Sequence, residues 1–579
     1  MDEGHLGQET EYALAFLTES IDKPSNLHLY REIQNAIMSL VKTKPGKRKY
    51  QREFFCENGG AFAYEFVPHA YLNGLIESKT PECSSASELL LYQKSLESLL
   101  IKAIPIVEAS LSEQGFQGNL RIIKNCRDAQ GNIYGSQENY ETKIASSYNY
   151  SLLKICLALL FPLVLILSAI IIVEIAVFTT IFIFLGFLWF TFALIITGGK
   201  TIMPPPYKNG ISKFHTDFVE KFHLRFTEEK TEHQLMKLES YLNFVGVILF
   251  HPYVFLWKLF AFKKQRTWLS SYFISRIIFS GAGTLEKDDS FCLSEKATAI
   301  KTLMRSNGKY SAQALFDTGN LLKKVSFSGM NLLSGKRLEY FDLLKPRQRL
   351  QYGMSDSNCA QFAEYLKIGI TQIMLEICEA SGFEEPPLLK NPIAALHKIN
   401  KDPSLKVEVE MRNNKKMSAI DIQRYYLNSA KKYLQDNPIH SLEKTELLAL
   451  WELTLNQLQS SPDKLIGRID WVSKKYLLMT AGKDLNYAAK KKIDIAYHEL
   501  GAGFFKQLEE EGVAEVLVDF YDIQEAETKP SNSIQAKRRS SFINNPLYEG
   551  ESVVISWDSV QLGSYLKAKV ISLRQKSPP

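Results

Sequence analysis

Disulfide chemistry and structural zinc are both poorly served by this sequence. Its seven cysteines are scattered, odd in number and never stand as a CxxC pair, which argues against a disulfide framework or a zinc site and fits a reducing compartment. Neither an HExxH helix nor a GxSxG turn occurs, so the zinc-protease and serine-hydrolase signatures are absent. The opening MDEGHLGQETEYAL has no apolar core, and no cleaved signal peptide is expected. Charge of one sign is lacking too. The net +6 arises from well-mixed basic and acidic residues, so no nucleic-acid partner is expected. At 579 residues, 45% of them apolar, the chain has room for about three or four globular domains of roughly 100–200 residues each.

Charge itself runs out between Leu152 and Ile196. Beyond Lys154 at its head, Glu174 is the only ionised residue in about 45 positions, and a bilayer crossing takes roughly 20 apolar residues. The block is long enough to cross twice, as Leu152–Val173 and Ile175–Ile196. Glu174 then falls at the hairpin tip, where a carboxylate reaches water or headgroups. Pro162 would kink the first span and Trp189 lies in the second, both tolerated in membrane helices. A very apolar hairpin buried in a soluble core is the alternative, although few soluble helices are apolar on every face for so long. Tyr241–Phe262 is also apolar but contains His251, Pro252 and Lys258 and is followed by KKQR, which suits an interfacial helix or a re-entrant segment. Residues 208–240 are charged and read as a helix on the membrane surface. Lys154, Lys200, Lys208 and Lys213, then Lys263, Lys264 and Arg266, place both ends of the insert on the cytoplasmic side.

Outside the insert, short strands alternate with amphipathic helices. QETEYALAF reads as a strand whose period-two spacing puts Glu9 and Glu11 on one face of a sheet. Two carboxylates on a buried face are costly without a cation, and hard, oxygen-seeking Mg²⁺ bridged to nucleotide phosphates is the natural candidate. Taken alone, the same pattern also describes a solvated sheet face. NGGAFAYEF adds Tyr64 and Glu65, IESKTPEC adds Glu77 and Glu82, and a strand–turn–strand segment ends in Gln137, Glu138 and Asn139. Each cluster read singly is an ordinary hairpin with a polar rim.

Taken together they are more specific. ETEYAL, NG, IES..T.EC, KN..D..GN.YGS.ENY, FISRIIFSGAG, FCLSEKA, MSDSNCAQFAEYLKIGITQIMLEI, SAIDIQRYY, IDWVSKKYLL and IDIAYHEL follow one another in this order. The series resembles the ligase of the prokaryotic ubiquitin-like protein Pup and its sibling, the Pup deamidase or depupylase, within the glutamine synthetase-like carboxylate–amine ligases. The match runs from about Gly7 to Trp557, broken only by the apolar insert. It implies an α+β fold: an antiparallel sheet cradle packed by helices, a small C-terminal domain and an inserted transmembrane helical hairpin. The expected boundaries are a catalytic domain in two parts, residues 1–150 and 268–522, a hairpin at 151–200, a membrane-surface segment at 201–267 and the small domain at 523–579.

By position, the resemblance implies that Glu9, Glu11 and Glu77 ligate magnesium and hold ATP. Tyr64, Asn139, Ser357, Asn358 and Trp557 are the implied nucleotide contacts, with Trp557 beside Asp558 in ISWDSV and after the basic Lys537, Arg538 and Arg539. Lys367 and Gly369 fall in a matching helix, and Trp471, Tyr497 and His498 are expected to pack the core. The implied reaction forms an acyl phosphate from a carboxylate and ATP, then an isopeptide with a lysine. Glu65 stands where the family carries a catalytic Asp, displaced by an extra methylene. DTGN (Asp317–Asn320) replaces a turn whose arginine contacts phosphate, putting Gly319 at that position, with Lys323 or Lys324 available in its place. Gln137 replaces a histidine. The compact Ala13–Glu57 stretch and IDWVSKKYLL favour a ligase, YGSQENY and SWDSV a deamidase, and the departures a membrane scaffold with a silent site. The implied partners are a small ubiquitin-like tag, lysine-bearing proteins and the lipid bilayer, with the catalytic domain cytoplasmic below two membrane spans.

Overall fold

The structure, a computed structural model, describes residues 5–196 save 67, 250–305, 313–318, 321–326, and 339–573 less 381, 439–440, 483–484, 549–551 and 564–568. Its centre is a ten-stranded sheet. The N-terminal part supplies β1 (Leu6–Leu17), β2 (Thr43–Pro45), β3 (Phe54–Cys56), β4 (Ala61–Glu65), β5 (Leu75–Lys79), β6 (Asn119–Ile123) and β7 (Gln137–Lys143). Across the sheet the order is Ile300–Arg305, Gln313–Asp317, Arg347–Tyr352, β7, β1, β5, β4, β3, β2, with β6 pairing the far half of β1. Only the first two of these run parallel to each other.

Strict alternation along β1 gives the sheet two unlike faces. Leu6, Gln8, Thr10, Tyr12, Leu14 and Phe16 are buried, whereas Gly7, Glu9, Glu11, Ala13 and Ala15 are only partly so. The buried side of the N-terminal strands carries α1 (Asn26–Leu40) and α2 (Ala86–Glu113). Ser25 and Ser85 start these helices by accepting from the N–H groups of His28 and Glu88. The helical half packs around Gln361–Glu379, in which sixteen residues are buried, Lys367 and Gly369 among them. A separate C-terminal unit, Ile534–Asn544 with a three-stranded sheet, docks where Lys47 N donates to Ile555 O and Phe55 meets Trp557 edge-on.

The apolar block departs from expectation. A single helix, α3, spans Ser147–Ile196 and runs straight through Glu174, where a hairpin turn was expected. The local sequence IIVEIA contains no glycine, proline or asparagine, and glutamate is a good helix former, so nothing there stops the helix. Its first part lies on the protein body, with Leu153, Leu157 and Val164 in the core. Around Pro162, which removes a backbone donor, the hydroxyls of Tyr340 and Tyr253 donate to the carbonyls of Leu157 and Leu160. Ser147–Ile166, with a mean hydropathy of 2.0, is the one stretch among the described residues long and apolar enough to cross a membrane.

The second apolar stretch is described from residue 250 onward, and residues 250–260 form a helix. Phe250, Tyr253, Val254, Trp257, Ala261 and Phe262 are buried, and Trp257 Nε1 donates to Thr318 Oγ1 at 2.9 Å. Phe255, Lys258 and Leu259 face outward. This part is therefore an amphipathic helix docked on the body, not a third span. The expected surface segment at 208–240 lies outside the described residues.

Candidate active-site groove

Pairing register builds the site. On the partly open sheet face, Glu9 and Glu11 of β1 stand opposite Lys79 and Glu77 of β5, and on the next strand Ala61 and Ala63 stand opposite Lys79 and Glu77. The two alanines leave space over the carboxylates. Glu65 closes the row opposite Leu75. On the other side of β1, Gly7 and Glu9 pair with Asn139 and Gln137 of β7. Beyond β7, Arg347 and Arg349 alternate onto one face of their strand. A groove of about 400 Å³ opens here, its walls including Glu9, Arg48, Lys79, Asn139, Lys324, Arg347, Arg349 and Trp557.

The charges in this row are unevenly compensated. Arg349 Nη2 lies 3.3 Å from Glu9 Oε1, and its Nε donates to Asn139 Oδ1 at 2.6 Å. Burial raises the pKa of Glu9, but Arg349, Lys79 and Arg48 outweigh it and hold the carboxyl below its usual value. Lys79 Nζ lies 2.8 Å from Glu77 Oε2 and 3.3 Å from Glu53 Oε1. Glu11 accepts from Gly135 N at 2.9 Å, yet burial and then Glu77 push it up to about 8. Burial and Glu77 likewise push Glu65 up to about 7, although Gln51 Nε2 donates to it at 2.5 Å. Glu77 is itself raised by burial, against Lys79.

The expected site residues divide into two groups. Glu9, Asn139 and Trp557 line the groove, and Glu11, Glu77 and Glu65 share its acidic face. Tyr64 does not join them. Neighbouring strand residues point to opposite faces, so Tyr64 turns into the core against Tyr30, and its hydroxyl bonds to Tyr71 O and Gly74 N. Ser357 and Asn358 are also away from the groove wall. Both are buried: Ser357 Oγ lies 3.3 Å from Cys126 Sγ, and Asn358 bonds Asp470 and Lys367. Trp471, Tyr497 and His498 are buried as well. Lys324 reaches the groove; Gly319 lies outside the described residues. Trp557 is held by Arg539, which stacks 4.6 Å from its ring, donates to its carbonyl and pairs with Glu82.

A divalent cation fits this face in one way. Among the described residues no three His, Cys, Asp or Glu side chains already stand at metal-binding spacing. Even so, Glu77 and Glu65 raise the proton affinity of Glu11, Glu77 raises that of Glu65, and neither Glu11 nor Glu65 has a cation of its own in an ion pair among the described residues. Carboxylates crowded together without a matching cation are what a hard ion such as Mg²⁺ relieves. Those three carboxylates would hold it.

The family model described as Pup-ligase protein matches residues 6–561. The chain belongs to the Pup-ligase family. A Pup–protein ligase of Paenarthrobacter aurescens is 28% identical over 222 residues, covering 37% of this chain and 49% of the relative. A depupylase of Acidothermus cellulolyticus is 28% identical over 222 residues, covering 37% and 44%. The alignment thus spans about half the length of these curated relatives. A solved complex of the prokaryotic ubiquitin-like protein Pup and its ligase PafA has the same fold, with a TM-score of 0.65 at 18% identity over 98% of this chain and 88% of that one. PafA in complex with ADP gives 0.59 at 17% identity over 96% and 92%. The family fold is therefore an α+β assembly with a large mixed sheet and packed helices.

Two groove cations escape a motif-based reading of this family member. Lys79 is the one cation of its strand and Arg349 shares its strand with Arg347, and only the register brings Lys79 and Arg349 onto the acidic row. An alternating Arg-Gln-Arg at 347–349 was the available signal.

Proposed function

We propose that this chain is a membrane-held, ATP-dependent ligase that joins the C-terminal carboxylate of a small Pup-like protein tag to a lysine of a target protein. Family membership supports the reaction class, and the observation that carries it is the acidic row facing a basic strand across one groove. Arg347, Arg349 and Lys324 are cations of the groove wall that a nucleotide's phosphates would meet, Arg347 being paired with Glu379 and Arg349 with Glu9. A bound Mg²⁺ would supply further charge neutralisation. The tag carboxylate attacks the γ-phosphorus, its bond to the bridging oxygen breaks and ADP leaves; the lysine amine then attacks the acyl carbon and phosphate leaves. Glu65, at the end of the acidic row, would take the amine's proton through an oxygen that a bound cation leaves open. With ATP, Mg²⁺ and a glutamate-ended tag, purified protein should release ADP and phosphate and form a lysine-linked conjugate. Ammonia release from a glutamine-ended tag, without stoichiometric ATP use, would instead mark the depupylase-type reaction. Absence of nucleotide binding would leave a scaffold.

Membrane attachment rests on α3. A helix of 50 residues is about 75 Å long at 1.5 Å per residue, against a hydrocarbon core of about 30 Å. Beyond the body-bound part, Val173, Val177, Phe184 and Phe187 are 61%, 51%, 60% and 65% exposed, an apolar surface that water disfavours. Lys154 lies near the body end of the helix, Lys258 is on the outward face of the docked second stretch and Lys263 and Lys264 follow it, positions where headgroups would meet them. After cell fractionation the protein should stay with the membranes through an alkaline carbonate wash, and the double substitution Phe184→Asp, Phe187→Asp should release a large share of it. Recovery of the unaltered chain in the soluble fraction would overturn attachment without touching the ligase reading.

A further inference from the structure

Within the acidic row stands a residue of the opposite sign that no metal-ligand pattern explains. Lys79 is 2% exposed, and an ammonium is buried at high cost unless carboxylates surround it. Here they do. Its Nζ is 2.8 Å from Glu77 Oε2 and 3.3 Å from Glu53 Oε1, and its backbone pairs directly with Glu9. Glu77 and Lys79 are two positions apart on β5, with Ser78 between them, so strand alternation puts both side chains on the groove face. Lys79 also lines the groove, within reach of whatever occupies it.

We propose that the Lys79 ammonium is a built-in cation that takes the place of a divalent ion in the corner formed by Glu9, Glu53 and Glu77. This deepens the ligase reading and rests on it for its link to nucleotide. Mg²⁺ sits about 2.0–2.1 Å from its oxygens, so an ion on Glu77 Oε2 would stand only about 4 Å from the ammonium that is 2.8 Å from the same atom. Like charges that close inside a buried corner repel strongly, so the ammonium disfavours a divalent ion on that oxygen. The charges agree. Glu53, Glu77 and Glu9 each have a cation within 4 Å, from Arg48, Lys79 and Arg349, whereas Glu11 and Glu65 form no ion pair among the described residues. A divalent ion is thus left to Glu11, Glu65 and the other oxygen of Glu77.

The test is a Mn²⁺ titration of the full-length protein followed by electron paramagnetic resonance, with and without a non-hydrolysable ATP analogue. The unaltered chain should bind one tight, Mg²⁺-displaceable Mn²⁺; two or more would overturn the proposal without any variant. Lys79→Met, which fills similar space without charge, should gain one further Mn²⁺ per chain, whereas Lys79→Arg should keep the original count. An unchanged count in a folded Lys79→Met protein would also overturn it. Failure of the unaltered chain to bind the analogue would sink the ligase reading, while the count taken without nucleotide still decides the role of Lys79.

Discussion

Replacing Arg276 with alanine should lower the stability of the protein by about 3–5 kcal/mol, the range for leaving one charge of a buried pair uncompensated. Arg276 and Glu138 are 1% and 0% exposed and form a two-pronged pair, Nη2 to Oε1 at 2.6 Å and Nη1 to Oε2 at 2.9 Å. The guanidinium also donates to Thr371 Oγ1 and to the Lys367 carbonyl and lies 4.5 Å from the Tyr352 ring, while Tyr140 donates to Glu138. Alanine would strand the carboxylate in this enclosure, and lysine could not reproduce the fork. Urea unfolding should therefore rank the unaltered chain above Arg276→Lys and that above Arg276→Ala, with Arg276→Met, Glu138→Leu recovering part of the loss. A loss below about 1 kcal/mol for Arg276→Ala would show that the pair is not what ties the layers together. The consequence for the site is direct, because β7 carries Glu138 on its inner face and Asn139 on the groove face. Loosening the first misplaces the second.

That two-sided strand shows what sequence could and could not reveal. Period two was enough to put Glu9 and Glu11 together, and ordered motifs were enough to bring Glu77 and Asn139 to the same sheet. The same period, applied to the adjacent Tyr64 and Glu65, separates them, which is why Tyr64 is a core residue. Ser357 and Asn358 belong to a short polar motif, but in space that motif ties segments distant in sequence: Asp356 accepts from the backbones of Ala282, Glu295 and Lys296, and Asn358 reaches Asp470. A polar motif in sequence looks the same whether it binds a ligand or satisfies buried backbone. Lys79 and Arg349 were hidden for a related reason: a cation in a strand gains meaning only from the strand beside it. In α3, composition revealed apolar length but could not supply the turn at Glu174, since no residue there prefers one.

The acidic row also sets a pH dependence whose direction follows from two carboxyls. With divalent ions chelated, Glu11 and Glu65 keep their protons in the folded chain up to about 8 and about 7, because burial and the Glu77 charge oppose ionisation. In the unfolded chain glutamate loses its proton near about 4.3. Between these limits the folded protein binds more protons than the unfolded one, so its stability falls as pH rises from about 4.5 to about 8. The groove side is partly open to solvent, which weakens the effect, and a loss on the order of 3 kcal/mol across the window is expected. Saturating Mg²⁺ should reverse the sense: a cation among Glu11, Glu65 and Glu77 favours their ionised forms, displaces protons and stabilises the chain more at pH 8 than at pH 5. Thermal unfolding at pH 5, 6.5 and 8, each with chelator and with Mg²⁺, measures both slopes. Glu11→Gln should flatten the chelated profile, since an amide in that position has no proton to lose. If the chelated protein gained stability between pH 5 and pH 8, or if Mg²⁺ stabilised it equally at both, the carboxylates of the row would not be the uncompensated group that the cation answers.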